Sequence, residues 1–440
     1  LRMYKQLKMF IHAESKVGQI EVKDDELMGI IRLGSDTEDN YYQLEIPLKI
    51  TGFNAVTAEE IWPEENNIDA AIEAFGNLKL ERLEVGGAVN EIYPQPQLGE
   101  TPEYRIRVKG NPNLSNIRTI MLGVKNVSLA PKSMELWYNE LRVSDFDNKS
   151  SWAAIVNADA NLADFADISV TGSANSIGFG SLDQMVNERS QDEMKQYGLV
   201  SNINIGQLLP QRVNISIPIN FSYGEEFRDP KYDPRFQDVL FKNGTTDSDQ
   251  ARDYTQRKSL NFINVRKNRT SVSGKPRFYD VENISVSYLY NETYHRDYNI
   301  QKFIDQKVRA SANYTHSFEP KIIEPFKAWG LVSDKAYLQF IKDFNISLLP
   351  TSFAINSNII RSYNEQLSRS LVAGLPDLPL LQQRNFMFDW DYLVAYNLTK
   401  SLQFSLRALN NYVYDEFDQD QDIQLYDNFF KIGRPEHYHQ

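Results

Sequence analysis

The stretch VNISIPINFSY, residues 213–223, carries an apolar side chain at every odd position and a small or polar, uncharged one at every even position. In a β-strand successive side chains point to opposite faces, so this alternation predicts a strand with one apolar face and one polar face. The apolar face comprises Val213, Ile215, Ile217, Ile219, Phe221 and Tyr223, and the other comprises Asn214, Ser216, Pro218, Asn220 and Ser222. Whether the apolar face meets a protein core or lipid decides the fold.

Pro218 lies in the middle of this predicted strand. Proline has no backbone N–H and cannot donate to a sheet ladder, so it is found at edges and bulges. The sequence therefore predicts a bulge or a missing hydrogen bond at Pro218, a candidate position for the docking of a partner.

The composition excludes several classes of protein. The 440 residues carry a net charge of −12 and contain no cysteine. The acidic balance argues against nucleic acid as a partner, and the lack of thiols removes disulfides and cysteine chemistry. No zincin, hydrolase-elbow or P-loop motif occurs, and His437 and His439 lack a third metal ligand nearby. We expect no enzymatic activity, catalytic residue, metal site or cofactor.

The first part of the chain, residues 1–147, is predicted to be a soluble β-sandwich domain of jelly-roll type. Short strand patterns alternate with turn-rich stretches, and residues 66–80 show the apolar spacing of a short helix. Predicted strands cover residues 6–14, 39–50, 103–110, 118–126 and 134–146. Trp62 and Trp137 are candidates for a sugar-stacking platform, although aromatic residues of a sandwich core are the commoner case.

Residues 148–440 show a different pattern, with alternating segments long enough to be membrane strands. One hairpin places Phe386, Phe388, Trp390, Tyr392 and Val394 on one face and Asp389 and Asp391 on the other. In a neighbouring segment Arg309 and Asn313 lie on the polar side. Eleven segments qualify: 152–162, 165–173, 198–206, 213–223, 258–264, 281–291, 306–318, 335–348, 353–363, 386–398 and 402–414.

These faces are predicted to be lipid-facing for the apolar residues and lumen-facing for Asn214, Ser216, Asn220, Arg309, Asn313, Asp389 and Asp391. Aromatic residues near segment ends, such as Tyr223, Tyr290 and Tyr314, suit the girdles of a membrane barrel. A soluble sheet with one wet face fits the alternation as well, but it must cover its apolar face. The long polar insertions, 224–259 and 371–385, are expected to be loops at one rim or segments folded into the lumen.

Several stretches of the chain together carry a family resemblance. They include IRLGSDTEDNYYQLEIPLK (31–49), IWPEENN (61–67), GNPNLSNIRTIMLGVKN (110–126), ELWYNELRVSDFD (135–147), YDPRFQDVLF (232–241), SLNFINVRKNR (259–269), LLPTSFAINSNIIRSYNE (348–365) and DYLVAYNLTKSLQFSLRALNN (391–411). In their order and number these stretches resemble the SprA family, called Sov in some members, which forms the outer-membrane translocon of type IX secretion in Bacteroidetes.

The resemblance implies an all-β protein with minor α content: a sandwich domain followed by strands of a very large transmembrane β-barrel. It implies a bacterial outer-membrane channel that passes folded cargo proteins to the cell surface and serves gliding motility. The implied partners are secreted cargo, a PorV-type shuttle barrel, a periplasmic plug protein and outer-membrane lipid. The chain is expected to be an internal piece of a longer protein. Two alternatives stay open, a surface glycan-binding sandwich protein and a nutrient transporter barrel.

Overall fold

The structure of the protein is a computed structural model in which strands make up 55% and helices 9%. Its sheets are antiparallel, which confirms the all-β fold class with minor helical content. The described residues are 1–96, 103–147, 150–185, 188–243, 247–270, 276–319, 321–327, 339–371, 376 and 378–417.

The chain forms two compact units, and each is assembled from separate chain segments. The sandwich unit consists of residues 1–153, 175–193 and 228–252, and the sheet unit consists of 154–174, 194–227 and 253–440. The predicted division into functional domains at residue 147 stays a prediction.

The sandwich unit contains two antiparallel sheets that share one hydrophobic core. One sheet has the strand order β4-β1-β7 and the other β5-β3-β2-β6. The strands are β1 (Tyr4–Ser15), β2 (Leu27–Gly34), β3 (Tyr41–Pro47), β4 (Asn67–Ala71), β5 (Arg105–Lys109), β6 (Thr119–Asn126) and β7 (Met134–Phe146).

The core forms because alternate residues of both sheets point inward. In β1 these are Leu7, Met9, Ile11 and Ala13, each at most 2% exposed. They join Leu27 and Ile31 of β2, Leu44 of β3 and Ile68 of β4 in one cluster. Burial of aliphatic side chains on this scale is the main source of the unit's stability, at about 1.5–3 kcal/mol per side chain.

Helix α2, Ile72–Glu84, also contributes Ile72 and Phe75 to this core. The predicted helix over 66–80 therefore exists but starts later, because residues 67–71 pair with β1 as strand β4. The short helix α1, Ala58–Ile61, is closed by a capping box between Thr57 and Glu60.

The sheet unit is built around a long antiparallel sheet with the order β20-β19-β18-β15-β14-β13-β12-β10-β9-β8, and β11 pairs with β13 beside this path. From β8 to β15 the path follows the order of these strands along the chain, as in a meander. The strands are β8 (Ala153–Leu162), β9 (Ala166–Asn175), β10 (Asp192–Asn204), β11 (Ile215–Ser216), β12 (Pro218–Pro230), β13 (Asp253–Lys267), β14 (Ile284–Arg296), β15 (Ile300–Ser317), β18 (Ser352–Ser368), β19 (Leu381–Asn397) and β20 (Gln403–Phe417).

One predicted strand, residues 335–348, is wrong in its described part. That part forms a single helical turn, α4 (Gln339–Lys342), and a two-residue strand, β17 (Ile346–Ser347), which pairs with β16 (Ile322–Ile323). The apolar residues here mislead because a run this short fits either a strand or a helical turn. Residues 335–338 lie outside the described residues.

The polar insertion over residues 224–259 also differs from its prediction as a rim loop or lumen segment. Its first part continues β12 to Pro230, its last part begins β13 at Asp253, and residues 228–252 belong to the sandwich unit. It contains the short helix α3, Ser248–Ala251. Throughout the described ranges, no helix has the length and apolarity needed to cross a membrane.

Candidate functional site

Of the residues predicted to face a lumen, Asn220, Arg309, Asn313, Asp389 and Asp391 lie on one face of the long sheet, whereas Asn214 lies outside its strands. The register places Asn313 of β15 opposite Asn356 of β18, and Asn356 opposite Asp391 of β19. Paired residues of adjacent strands point to the same face, so these three side chains form one row. Asn356 Nδ2 donates to the Asp391 carboxylate at 3.1 Å. On the other side of Asp391, Arg407 Nε of β20 lies 3.9 Å from Asp391 Oδ2.

A second row runs parallel to the first. Ser311 of β15 lies opposite Asn358 of β18, which lies opposite Asp389 of β19. Arg309 Nε donates to Asn358 Oδ1 at 2.6 Å, and Asn358 Nδ2 donates to Asp389 Oδ2 at 3.4 Å. Arg309 and Asp389 therefore lie on the face that carries Asn313 and Asp391.

Asn220 of β12 extends this face toward the β8 edge of the sheet. Asn220 Nδ2 donates to Asn202 Oδ1 at 2.8 Å, and Asn261 Nδ2 donates to Asn220 Oδ1 at 3.2 Å. Asn261 is paired with Leu289 of β14. Leu289 points to the same side of β14 as Ser285 and Ser287, which lie opposite Asn313 and Ser311 of β15. We call this side the polar face; its members include Asn202, Asn220, Asn261, Arg309, Ser311, Asn313, Asn356, Asn358, Asp389 and Asp391.

Sequence reasoning missed Asn356 and Asn358 as members of the polar face. The alternation in SFAINSNII, residues 352–360, contains the signal, because Asn356 and Asn358 alternate with Ile355 and Ile359. These two amides connect the predicted charged residues into hydrogen-bonded rows. Asn356 donates to the Asp391 carboxylate, and Asn358 donates to one oxygen of the Asp389 carboxylate.

The opposite side carries the predicted apolar residues of β19 and is called the apolar face. Phe388 lies opposite Ile359 of β18 and Tyr412 of β20, and Tyr392 lies opposite Ile355. Phe388 is buried at 6% exposure, with the Tyr412 ring stacked beside it at 6.4 Å between centroids. The other members include Ile219, Phe221, Tyr288, Val308, Ala310, Phe386, Trp390 and Val394. Whether this face meets lipid stays a prediction.

The apolar face is bounded at one end by tyrosine and carboxylate side chains. Tyr223 donates to Glu225, Tyr290 to Glu292 and Tyr363 to Glu365. We call these three Tyr-x-Glu pairs the tyrosine belt. Gln306 of β15 lies opposite both Glu292 and Tyr363, so the second and third pairs lie in one row.

Aromatic rings also mark the other end of the apolar face. Measured between ring centroids, Tyr314 of β15 lies 6.0 Å from Phe353 and 5.8 Å from Phe278, and His316 lies 4.5 Å from Phe318. Gln306 and Tyr314 are eight positions apart on β15. At about 3.4 Å per residue they are separated by about 27 Å along the strand. A strand tilt of about 45° reduces this to about 19 Å, shorter than the about 25 Å of a membrane barrel's apolar band.

The stretch around Pro218 is divided into two strands. Val213 lies in a turn, and Asn214 has a φ of +47°, a left-handed conformation that ends regular strand geometry. The strand therefore starts at Ile215, two residues later than the alternation predicts. Ile215 and Ser216 pair with β13, Ile217 belongs to no strand, and β12 begins at Pro218.

The neighbouring strand β13 is irregular at the position that lies beside Pro218. Its register with β14 shifts between Phe262 and Val265, and Asn264 within the shift has a φ of +57°. The contacts Asn220–Asn261 and Ser222–Ser259 set the alignment of β12 with β13, and extending it places Pro218 opposite Ile263. A proline without an N–H thus lies where the partner strand bulges. Docking of a partner at Pro218 stays a prediction.

Both tryptophans of the predicted sugar platform lie beside one histidine of the sandwich unit. The His12 ring is 5.6 Å from the Trp62 ring and 5.9 Å from the Trp137 ring. His12 Nδ1 lies 2.7 Å from the Ile61 carbonyl oxygen, which fixes the imidazole. Trp137 is 57% exposed, so its ring is open to a ligand. His437 and His439 lie outside the described residues.

A buried ion pair attaches residues 228–252 to the rest of the sandwich unit, and sequence reasoning missed it. Lys79 Nζ donates to Asp238 Oδ1 at 2.9 Å and the Tyr42 hydroxyl donates to Asp238 Oδ2 at 2.7 Å. The side chains of Lys79 and Asp238 are 3% and 0% exposed. A Cβ on Gly76 would lie 3.1 Å from the Asp238 carbonyl oxygen, so glycine permits this close approach.

Burial dominates the proton affinities of this cluster. It lowers the pKa of Lys79, although the adjacent Asp238 carboxylate opposes the shift. Burial, and next the negative charge of Asp238, raises the pKa of Tyr42 well above its usual value. Tyr42 therefore stays a neutral donor, and Asp238 is held by hydrogen bonds from two different elements.

The fold and the two faces of the long sheet define an all-β protein that combines a sandwich with an extended antiparallel sheet. The SprA_N family, described as motility related/secretion protein, matches residues 1–244, more than half of the 440 residues. The chain belongs to this family, which confirms the resemblance to SprA and makes it a motility- and secretion-related protein. No curated protein matches the chain.

Proposed function

We propose that residues 148–440 supply strands to the wall of an outer-membrane channel that passes folded cargo proteins to the cell surface. The observation that carries this proposal is the separation of side chains across the long sheet. Hydrogen-bonded amides, hydroxyls and charges occupy the polar face, and aromatic and aliphatic side chains occupy the apolar face. This matches a sheet with lipid on one side and water on the other.

The strand lengths and the scarcity of covering elements favour lipid over a protein core. Strands β15, β18 and β19 have 18, 17 and 17 residues, well above the about 5–6 of globular strands. A soluble sheet must cover an apolar face with helices or another sheet. Among the described residues after 150, the α-helices are single turns of four residues.

The long sheet has two edge strands, and a closed channel would need a pairing partner for each. Within the described residues, β8 and β20 end the strand path. Backbone groups at a sheet edge must be paired inside a membrane, so these strands would pair with strands beyond those described here. A wide ring of many strands has the lumen that a folded cargo needs.

The polar face suits the passage of varied cargo. Its asparagine and serine side chains bond to one another, and Arg309 is bonded to Asn358. Such a surface stays hydrated without presenting one dominant charge that would select a particular cargo. The proposed partners are secreted cargo proteins, a PorV-type shuttle barrel and a periplasmic plug protein. No catalytic step and no nucleic acid form part of this function.

A pair of adjacent single-cysteine variants tests the proposal. The 440 residues contain no cysteine, so a thiol introduced into this sequence is unique within it. Ser311→Cys lies on the polar face and Ala310→Cys on the apolar face of β15. In the full-length protein in cells, Ser311→Cys should react with a membrane-impermeant maleimide and crosslink to folded cargo in transit, whereas Ala310→Cys should do neither.

The outcomes separate the candidate functions. Reaction of both thiols with the maleimide would argue for a soluble sheet and against the channel. Maleimide reaction of Ser311→Cys with small-solute transport but without cargo crosslinks would favour a nutrient transporter.

A second candidate function is glycan binding by the sandwich unit, favoured by the exposed Trp137 ring beside His12. Sugar rings stack on exposed indoles through their C–H faces. In a glycan array, Trp137→Ala should abolish the binding of any glycan that the wild-type protein retains. Equal binding by the variant, or no binding by the wild type, would remove this candidate.

A further inference from the structure

The three carboxylates of the tyrosine belt have the same local arrangement but different charge partners. In each pair the tyrosine two residues earlier donates to the glutamate. Residues two apart in a strand share a face, so all three carboxylates lie on the apolar face at its boundary. A carboxylate at such a boundary is costly unless its charge is compensated.

Two of these carboxylates have an ammonium group supplied by the protein. Lys258 Nζ of β13 lies 3.3 Å from Glu292 Oε1, and Gln306 Nε2 donates to the same carboxylate at 2.8 Å. Lys302 Nζ of β15 lies 2.7 Å from Glu365 Oε1. The belt thus repeats a unit of tyrosine hydroxyl, carboxylate and ammonium.

Glu225 has the tyrosine but lacks the ammonium. Its carboxylate accepts from the hydroxyls of Tyr197 and Tyr223 and from Gln256 Nε2, the latter at 2.9 Å. Across the described residues, no lysine or arginine forms an ion pair with Glu225. Gln256 occupies the cross-strand position from which a cation would reach Glu225, so the partners of this carboxylate among the described residues are neutral hydrogen-bond donors.

Aromatic rings line the same place. Phe227 lies 6.4 Å from Tyr197 and 5.0 Å from Tyr254, between ring centroids. A carboxylate among aromatic faces is the arrangement that binds organic ammonium groups, because the rings attract the cation and the carboxylate neutralises it. Glu225 is half-buried, so part of its side chain is accessible.

We infer that Glu225, with Tyr197, Tyr223, Tyr254 and Phe227, binds the ammonium group of an ethanolamine phospholipid at the membrane boundary. This rests on the proposed function, in which the apolar face meets lipid. The lipid ammonium takes the place that lysine fills at Glu292 and Glu365. A primary ammonium is favoured over choline because it donates hydrogen bonds to the carboxylate as lysine does.

Native mass spectrometry of the full-length protein in detergent tests this site with two lipids, phosphatidylethanolamine and phosphatidylglycerol. The wild type should retain phosphatidylethanolamine preferentially. Glu225→Gln should lower this preference about tenfold, the loss of one charge-assisted contact. Glu292→Gln is the matched control and should leave the preference unchanged, because Lys258 already occupies that carboxylate.

A second variant protects the test against misfolding. Gln256→Lys supplies an ammonium beside Glu225 in the way Lys258 does beside Glu292, so it should fold and lose the lipid preference. A wild type without preference, or equal effects of Glu225→Gln and Glu292→Gln, would overturn the inference. Free ethanolamine binding as tightly as the lipid would overturn the lipid assignment. If neither lipid is retained and Ala310→Cys reacts with maleimide, the proposed function itself fails.

Discussion

Asp36 shows how one side chain can set the shape of a turn. In the connection between β2 and β3, its Oδ1 accepts from the backbone N–H groups of Asp39 at 2.6 Å and Asn40 at 2.8 Å. Asn40 Nδ2 donates to Oδ2 at 3.0 Å. These hydrogen bonds, first the one from the Asn40 side chain, hold the pKa of Asp36 well below its usual range.

This gives a pH-dependent prediction for the sandwich unit. A carboxylate whose pKa is lower in the folded state stabilises the fold above its unfolded pKa of about 3.9, and the stabilisation disappears as the pH falls through the folded pKa. At neutral pH the wild type should therefore have a higher melting temperature than the Asp36→Asn variant. Calorimetry over a pH series should show the difference shrinking below about pH 4. A difference that stays constant on acidification would contradict this role.

Asp238 is the residue on which attachment of residues 228–252 depends. Removing one member of a buried ion pair costs about 3–5 kcal/mol, because the other charge is left buried and unpaired. Asp238→Ala should destabilise the sandwich unit by this amount, measured by hydrogen exchange of the β3 amides. The double variant Lys79→Met/Asp238→Leu should recover most of the loss. If the double variant is as unstable as Asp238→Ala, the damage comes from packing and not from the unpaired lysine.

At the scale of the strand, neighbouring positions should respond oppositely to the same charge. Ala310 lies midway along the apolar face of β15, in the row of Tyr288 and Ile359, and Ser311 lies on the polar face. An arginine at the midplane of a lipid face costs about 2–4 kcal/mol. Ala310→Arg should lower the thermal midpoint and membrane yield, and Ser311→Arg should change both little. Similar losses from both variants would contradict the assignment of the faces.

Alternation located strands whose two faces differ in polarity, and it missed β2 and β4 for two different reasons. Strand β19 was located within a few residues because its aromatic residues alternate with Asp389 and Asp391. Strand β2 was missed because seven of its eight residues are buried, so its two faces do not differ in polarity. Strand β4 was missed because its apolar residues also fit a helical spacing, and only pairing with β1 decides the matter.

The face of each charged residue could be predicted from sequence, but its contacts could not. Arg309 and Asp389 were placed on the polar face by counting positions. Their connection through Asn358 depends on the register of three strands, and a shift of one residue would move each side chain to the other face. The pairing of Lys79 with Asp238 joins residues 159 positions apart, a separation at which sequence patterns carry no signal.

At the scale of the whole molecule, the sandwich unit is assembled from three chain segments. Replacing residues 231–241 by a Gly/Ser segment of equal length removes Phe236 and Val239 and should expose Lys79 and Leu80, which pack against that segment. Limited proteolysis should then cut the sandwich unit faster than in wild type, and faster than in Asp238→Ala, which keeps the segment. Unchanged resistance would show that the unit folds without this segment.

The interleaving of segments has a consequence for biogenesis. Asp238 comes after β8, β9, β10, β11 and β12 in the chain, whereas Lys79 and Tyr42 come before all of them. In a chain synthesised from its N-terminus, Lys79 lacks its Asp238 partner until five strands, β8 to β12, have been made. The sandwich unit can be completed only when Asp238, which lies between β12 and β13 in the chain, pairs with Lys79. Its completion therefore comes after the first strands of the sheet unit have been made. A chaperone acting on the nascent chain would have this interval in which to hold it.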